Sequence, residues 1–276
     1  MLGKMIKHEF KASGRLLIPL FLIVIVMTPV LSLLNKLASN IGNESLVGKI
    51  LSGLSMGSFV LMIIGASVAA FIYIMVRFYK TIATSEAYLT FCLPVNSHQV
   101  VLSKLVVAIV WQLATIIIAV GSVYSMLIIT GTIEPGEVYN FLDKMIVFAG
   151  GGSGTLLGYL IKISIIIFIS MITSTLSWFL AVCLGQMSKE NRALMSIAMY
   201  MGIYMASQIV YTIVLLPFFF ANASDINFGE AKALNLDMNT NIPTGILLTV
   251  GIVNVVLAIV YYIVSTRTLT KKTNVK

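Results

Sequence analysis

Six apolar stretches, each long enough to cross a membrane, constrain this sequence more than any other feature. A transmembrane helix needs about 20 mostly apolar residues, and helices satisfy their own backbone hydrogen bonds in lipid. The mean hydropathy of +1.01 and the charged fraction of 10% suit this interpretation. The sequence therefore predicts an all-α integral membrane protein, with a single transmembrane domain over residues 1–276. The six predicted spans cover residues 16–34, 54–76, 105–130, 163–184, 193–220 and 245–266.

The charges between the spans predict the orientation, because Lys and Arg are retained on the cytoplasmic side. With the N-terminus inside, thirteen of the eighteen Lys and Arg residues fall in inner segments and four in outer ones. Lys162 lies at the outer end of span four. Both termini are therefore expected in the cytoplasm. We interpret the net charge of +8 as part of this topology signal and not as a nucleic-acid-binding surface, so we predict no nucleic-acid partner.

The first fifteen residues, MLGKMIKHEFKASGR, are expected to form a separate amphipathic helix. Apolar residues recur there at helical spacing on one side, with basic residues on the other. Such a helix lies in the membrane interface with its basic face toward anionic lipid headgroups. The residues concerned are Leu2, Met5, Ile6 and Phe10 on one side, and Lys4, Lys7, Lys11 and Arg15 on the other.

The inner connection between spans two and three, RFYKTIATSEAYLTFCLPVNSHQVVLSKL, is unusually polar for this chain. Thr84 or Ser85 caps a first short helix, with Glu86 in its opening turn, where the helix dipole favours an acid. Pro94 ends that helix. Asn96 and Gln99 then have the spacing of a capping box, and a second helix is expected to run from Asn96 into span three. The pattern predicts a helix-turn-helix at the inner surface.

Polar residues inside the spans indicate a path or a packing surface, since each needs a partner or a wet cavity. Span five places four of them at i, i+4, i+8 and i+11, and span four carries a stripe of hydroxyls. The opposite face of span five has small residues that allow close helix packing. A predicted translocation path comprises Tyr200, Tyr204, Gln208, Tyr211, Ser170, Ser174 and Ser177, and the predicted packing face comprises Ala198, Gly202 and Ala206. Packing on both faces is the alternative interpretation.

The inventory of ionisable residues weakens the case for several function classes. No Asp, Glu, His or Arg falls at mid-membrane depth, so a proton- or sodium-driven relay has little to work with. His8 and His98 lack neighbours at ligand spacing, and no metal site or catalytic residue is predicted. The glycine-rich GGGSGT, residues 150–155, lacks the Lys of a phosphate-binding loop. The source of energy is therefore expected on another chain.

Two motifs, KMIKHEFKASGRLLIPLFL and SEAYLTFCLPVNSHQVVLSKL, resemble the permease subunits of bacterial ABC-2 type transporters, particularly those of Gram-positive organisms. The resemblance extends over the whole chain. It implies an exporter of lipid, peptide, drug or polymer in the bacterial plasma membrane, in which this chain is not an enzyme. Two identical or related permeases would pair with two ATPase subunits, which carry the ATP and Mg, and the permeases would contact membrane lipid.

By the same resemblance, the first inner loop would rest in a groove of the ATPase as its coupling element. That element comprises Thr84, Ser85, Glu86, Tyr88, Leu89, Phe91, Pro94 and His98. The loop before span six would hold short re-entrant helices, for which a break at Pro217 is suited. The external loop, residues 131–160, matches no feature of the family.

Two other hypotheses stay open on the sequence. The chain is alternatively a membrane accessory or immunity protein that binds a peptide or partner without transporting it, or an independent secondary carrier or channel.

Overall fold

The computed structural model describes residues 2–40, 45–83, 97–131, 137, 156–186, 192–223 and 244–273. This part of the chain is helical, and each of its six long helices is apolar and long enough to cross a membrane. The prediction of an all-α, multi-pass membrane protein with six spans is confirmed. The helices are α1 (Leu2–Asn40), α2 (Leu46–Ala83), α3 (Ser97–Ile129), α4 (Leu156–Gly185), α5 (Arg192–Ala223) and α6 (Thr244–Thr273).

Local chemistry explains where two of these helices begin and end. The hydroxyl of Ser45 accepts a hydrogen bond from the backbone N–H of Gly48 at 3.1 Å, which caps the start of α2. The helix α3 ends before Gly131, whose φ is +75°. A left-handed conformation of this kind favours glycine, and the N–H of Gly131 bonds the carbonyl of Ile128 at 3.0 Å.

The N-terminal residues differ from the sequence expectation. Instead of a separate interfacial helix over residues 1–15, α1 continues without a break from Leu2 to Asn40. Gly14, which stands near the expected end of that helix, is buried, and a Cβ added there would lie 3.3 Å from the ring of Trp111. Contacts with α2 and α3 therefore hold the start of α1 in line with its apolar portion.

The helices extend past the predicted spans, because apolar length sets only the part that lipid requires to be helical. Thr130, the last residue of predicted span three, lies in the turn after α3. Pro217, where the resemblance implied a break, stands inside α5, which continues to Ala223. The loop before span six, residues 224–243, lies outside the described residues.

The chain divides into two compact units, an N-terminal unit (Met1–Tyr139) and a C-terminal unit (Asn140–Lys276). In the N-terminal unit α1 packs against both α2 and α3, and the contact of α2 with α3 is smaller. In the C-terminal unit α4 packs in the same way against α5 and α6. The central helices supply much of each core, with Leu17 and Phe21 in α1 and Phe179 and Val182 in α4.

Candidate functional site

A cavity lies among α4, α5 and α6 of the C-terminal unit, and ten of its twelve lining residues carry a hydroxyl or amide group. Its volume is about 370 Å³. Six of the seven residues of the predicted translocation path line it: Ser170, Ser174, Ser177, Tyr200, Tyr204 and Tyr211. Periodic polar residues on two separate spans therefore meet at one site, together with residues of the third helix, α6.

Asn254, near the middle of the predicted span six, organises one side of this cavity. Its side chain accepts a hydrogen bond from the hydroxyl of Tyr211 at 2.9 Å and donates to the carbonyl of Val250 at 2.9 Å. Its own backbone carbonyl accepts from Thr173 Oγ1 at 3.0 Å. Asn254 is only 4% exposed, so these bonds satisfy a polar group that lipid could not.

Aromatic rings form another side of the cavity. Tyr200 stacks on Trp178 with ring centroids 3.7 Å apart, and the ring of Tyr204 lies 6.3 Å from that of Tyr200. Gln208, the one predicted path residue outside the lining, donates from Nε2 to the hydroxyl of Tyr204 at 2.9 Å. It thus contributes by holding a lining ring. Tyr261 of α6 also lines the cavity, and the sequence did not single it out.

The small residues of α5 have no helix against them in the described part of the C-terminal unit. Ala198, Gly202 and Ala206 are all exposed, and a Cβ added at Gly202 would meet no atom within 4 Å. Close packing occurs elsewhere, where the end of α4 meets the first turns of α5. A Cβ at Gly185 would lie 2.6 Å from the Cα of Ser196, so this approach requires glycine.

A three-residue ion cluster fixes one end of the N-terminal unit. Glu9 of α1 binds Arg77 of α2 at 2.9 Å through Oε2, and Lys104 of α3 at 2.7 Å through Oε1. The side chain of Glu9 is 16% exposed and that of Lys104 is 6% exposed. One carboxylate thus joins three helices. This pairing was not predicted from the sequence, because the partners of Glu9 lie 68 and 95 residues away and no local pattern links them.

An aromatic cluster lies next along α1. Trp111 of α3 stacks on Phe10 with ring centroids 4.8 Å apart, and the ring of Phe21 lies 5.9 Å away. Trp111 is 5% exposed. The apolar residue Phe10, which was expected to face the membrane interface, therefore packs on another helix of its own unit.

The predicted coupling element falls almost wholly on residues 84–96, which lie outside the described residues. That range holds Thr84, Ser85, Glu86, Tyr88, Leu89, Phe91 and Pro94. His98 is the exception, exposed in the first turn of α3. What the structure describes is the base of the element, because α2 ends at Ala83 and α3 begins at Ser97. The Glu9 cluster ties both of these helices to α1.

Within the described residues, no group of three His, Cys, Asp or Glu side chains could hold a metal ion.

Comparison of the chain with models of protein families, with curated proteins and with solved structures found no match.

Proposed function

We propose that this chain is the membrane-spanning permease subunit of an ABC-2 type exporter in a bacterial plasma membrane. It would act with two copies of a separate ATPase subunit and with a second permease, identical or related. The observation that carries the proposal is the ion cluster at the base of the predicted coupling element. Glu9 joins the two helices that bear this element to the N-terminal helix.

The cluster suits a chain that receives a mechanical push. A force on residues 84–96 would act on α2 and α3 at once, and the two ion pairs would carry it to α1. Removing one partner of a buried ion pair typically costs about 3–5 kcal/mol, so such a joint resists separation. In the proposed mechanism, ATP binding and hydrolysis on the partner supply the energy that this chain's own residues do not.

The C-terminal cavity suits a substrate site. At about 370 Å³ it falls within the roughly 300–1,000 Å³ range of ligand pockets. The alternative interpretation of the Tyr and Ser stripes, packing on both faces, predicts filled space where these residues meet. An open volume lined by six of them favours the translocation-path interpretation, with an amphiphilic, peptide or drug-like substrate.

Co-purification with the ATPase tests the coupling assignment. Glu86→Lys and Leu89→Asp, both on the predicted coupling element, should abolish recovery of the ATPase with the permease and its stimulated ATP hydrolysis. Glu137→Lys serves as the matched control, because it makes the same charge reversal on the predicted outer side. If both coupling variants retain the ATPase at the level of the control, the coupling assignment is wrong.

The same preparation separates the remaining hypotheses. An accessory or immunity protein would bind its partner without an ATPase and without stimulated hydrolysis in liposomes. A secondary carrier or channel would produce gradient-driven flux from the purified chain alone.

Labelling of cysteines placed at Lys4 and Lys272 by an impermeant reagent tests the orientation. We expect both to be protected in intact cells.

A further inference from the structure

We propose that the cavity of the C-terminal unit binds the positively charged head of an organic amphiphile, an ammonium or a quaternary ammonium group. The proposal names a substrate class for the site and so rests on the proposed transport function, although binding itself needs no ATPase. It follows from which hydrogen-bonding atoms the cavity has left to offer.

Five of the nine hydroxyl groups that line the cavity donate their hydrogens to acceptors of the protein itself. The single hydroxyl hydrogen of Thr173 is shared between the carbonyls of Ile169 and Asn254, each 3.0 Å from Oγ1, and Tyr211 donates to the side-chain oxygen of Asn254. Ser174 donates to the carbonyl of Met171 at 3.0 Å. Ser177 and Ser207 likewise bond backbone carbonyls, each at 2.7 Å.

A hydroxyl has one hydrogen to donate and two lone pairs that accept. With their hydrogens bound to the protein, these five hydroxyls offer a ligand only oxygen lone pairs. One of the two N–H groups of Asn254 Nδ2 is used in the same way, since it donates to the carbonyl of Val250. The polar part of the lining is therefore rich in acceptors and suits a ligand that brings its own donors or a positive charge.

The aromatic part of the lining favours the same sign of charge. Four tyrosines face the cavity, Tyr200, Tyr204, Tyr211 and Tyr261, and the face of an aromatic ring carries partial negative charge. Recognition of quaternary ammonium groups by several aromatic rings is a general use of this interaction. The described lining contains no Lys, Arg or His that would attract an anion, and no Asp or Glu that would hold a hard metal ion.

The surroundings of the cavity suit an apolar tail. Val250 and Leu257 lie in the lining beside the polar groups. Tyr204 is 52% exposed, so the cavity opens at the surface of the unit, where the neighbouring Met201 and Met205 are 57% and 64% exposed. Methionine adapts its shape to different apolar partners. A cationic head inside and an alkyl tail along α5 would fit this arrangement.

Calorimetric titration of the full chain in nanodiscs of zwitterionic lipid tests the proposal, with empty nanodiscs as the blank. The probes share a six-carbon tail: hexyltrimethylammonium, hexylammonium, hexyl sulfate and hexan-1-ol. We expect saturable binding of at least one cation, and binding of the sulfate and the alcohol at least tenfold weaker. If the sulfate or the alcohol binds as tightly as both cations, the proposal is overturned without recourse to any variant.

Variants locate the binding at the cavity. Replacing Tyr200 and Tyr204 together by Leu removes two ring faces, and we expect cation affinity to fall about 30-fold or more, the factor for roughly 2 kcal/mol of desolvated cation–π attraction. Replacing both by Phe keeps the rings and should change affinity less than about threefold. Leu248→Ala is the matched control. It lies in a separate apolar groove lined by two of the three helices, α4 and α6, and should leave affinity unchanged.

The probes also divide the two sources of attraction. Tighter binding of hexylammonium assigns the head to the hydroxyl oxygens, and tighter binding of hexyltrimethylammonium assigns it to the rings. Wild-type affinity in the folded Leu pair would overturn the cavity assignment. Cation binding by a chain that recruits no ATPase would overturn the proposed transport function and leave this inference intact.

Discussion

The two units share an architecture and differ in how they place polar groups. In each, the first helix packs against the other two. The N-terminal unit uses charge, with Glu9 neutralised by two cations at one end of α1. The C-terminal unit uses neutral hydroxyl, amide and phenol groups around an open volume. Paired charges fix helices to each other, whereas neutral groups with spare lone pairs leave room and chemistry for a ligand.

The largest expected effect lies in the N-terminal unit. Glu9→Gln leaves Arg77 and Lys104 without their shared carboxylate, and we expect the free energy of unfolding in micelles to fall by about 3 kcal/mol. Hydrogen exchange should accelerate in α1–α3 and stay unchanged in α4–α6. Glu137→Gln, an exposed residue outside the helices, is the control. Equal acceleration in both groups of helices would contradict the contrast drawn between the units.

The next effect belongs to the C-terminal unit. Gly185→Ala adds a Cβ where the backbone of Ser196 approaches, and overpacking of this kind costs about 1–3 kcal/mol. Thermal unfolding in micelles measures the loss, with exchange in α4 and α5 as the local readout. Gly202→Ala makes the same change on the exposed face of α5 and should cost far less. Equal destabilisation by the two substitutions would be inconsistent with the close approach at Gly185.

A smaller effect is expected at the cavity. Tyr211→Phe removes one hydrogen bond to Asn254, and interhelical bonds of this kind contribute about 0.6–1.7 kcal/mol in membrane proteins. Loss of this bond to Asn254 Oδ1 should also speed amide hydrogen exchange in the middle of α6. Tyr124→Phe in α3, where the ring is 39% exposed, should have no measurable effect. A Tyr211→Phe protein as stable as that control would argue against Asn254 as the organising residue.

The smallest effect concerns the small-residue face of α5. Ala206→Leu adds volume to an exposed position and should change the stability of the purified chain by less than about 0.5 kcal/mol. Ala181→Leu, at a fully buried position in α4, is the contrasting control and should destabilise strongly. A loss at Ala206 comparable to that at Ala181 would mean that a helix of this same chain packs against the face.

The sequence predicted the helices well, because lipid makes apolar length a direct signal of a transmembrane helix. It also predicted six of the twelve residues that line the cavity, since Tyr200, Tyr204 and Tyr211 follow a helical repeat that can be read along one span. Tyr261 was not predicted as a lining residue, because its position at the cavity depends on which face of α6 meets α4 and α5. The pairing of Glu9 was invisible for the same reason, since its partners lie 68 and 95 residues away in the chain.

That separation sets the order in which the N-terminal unit is assembled during synthesis. Glu9 leaves the ribosome first, Arg77 follows 68 residues later, and Lys104 follows 95 residues after Glu9. At roughly 5–20 residues per second, the carboxylate waits about 5 to 20 s for its second cation. The complete set of contacts of the first helix therefore forms only after the third has been made, and a chain that ends before Lys104 lacks one of the two cations that pair with Glu9.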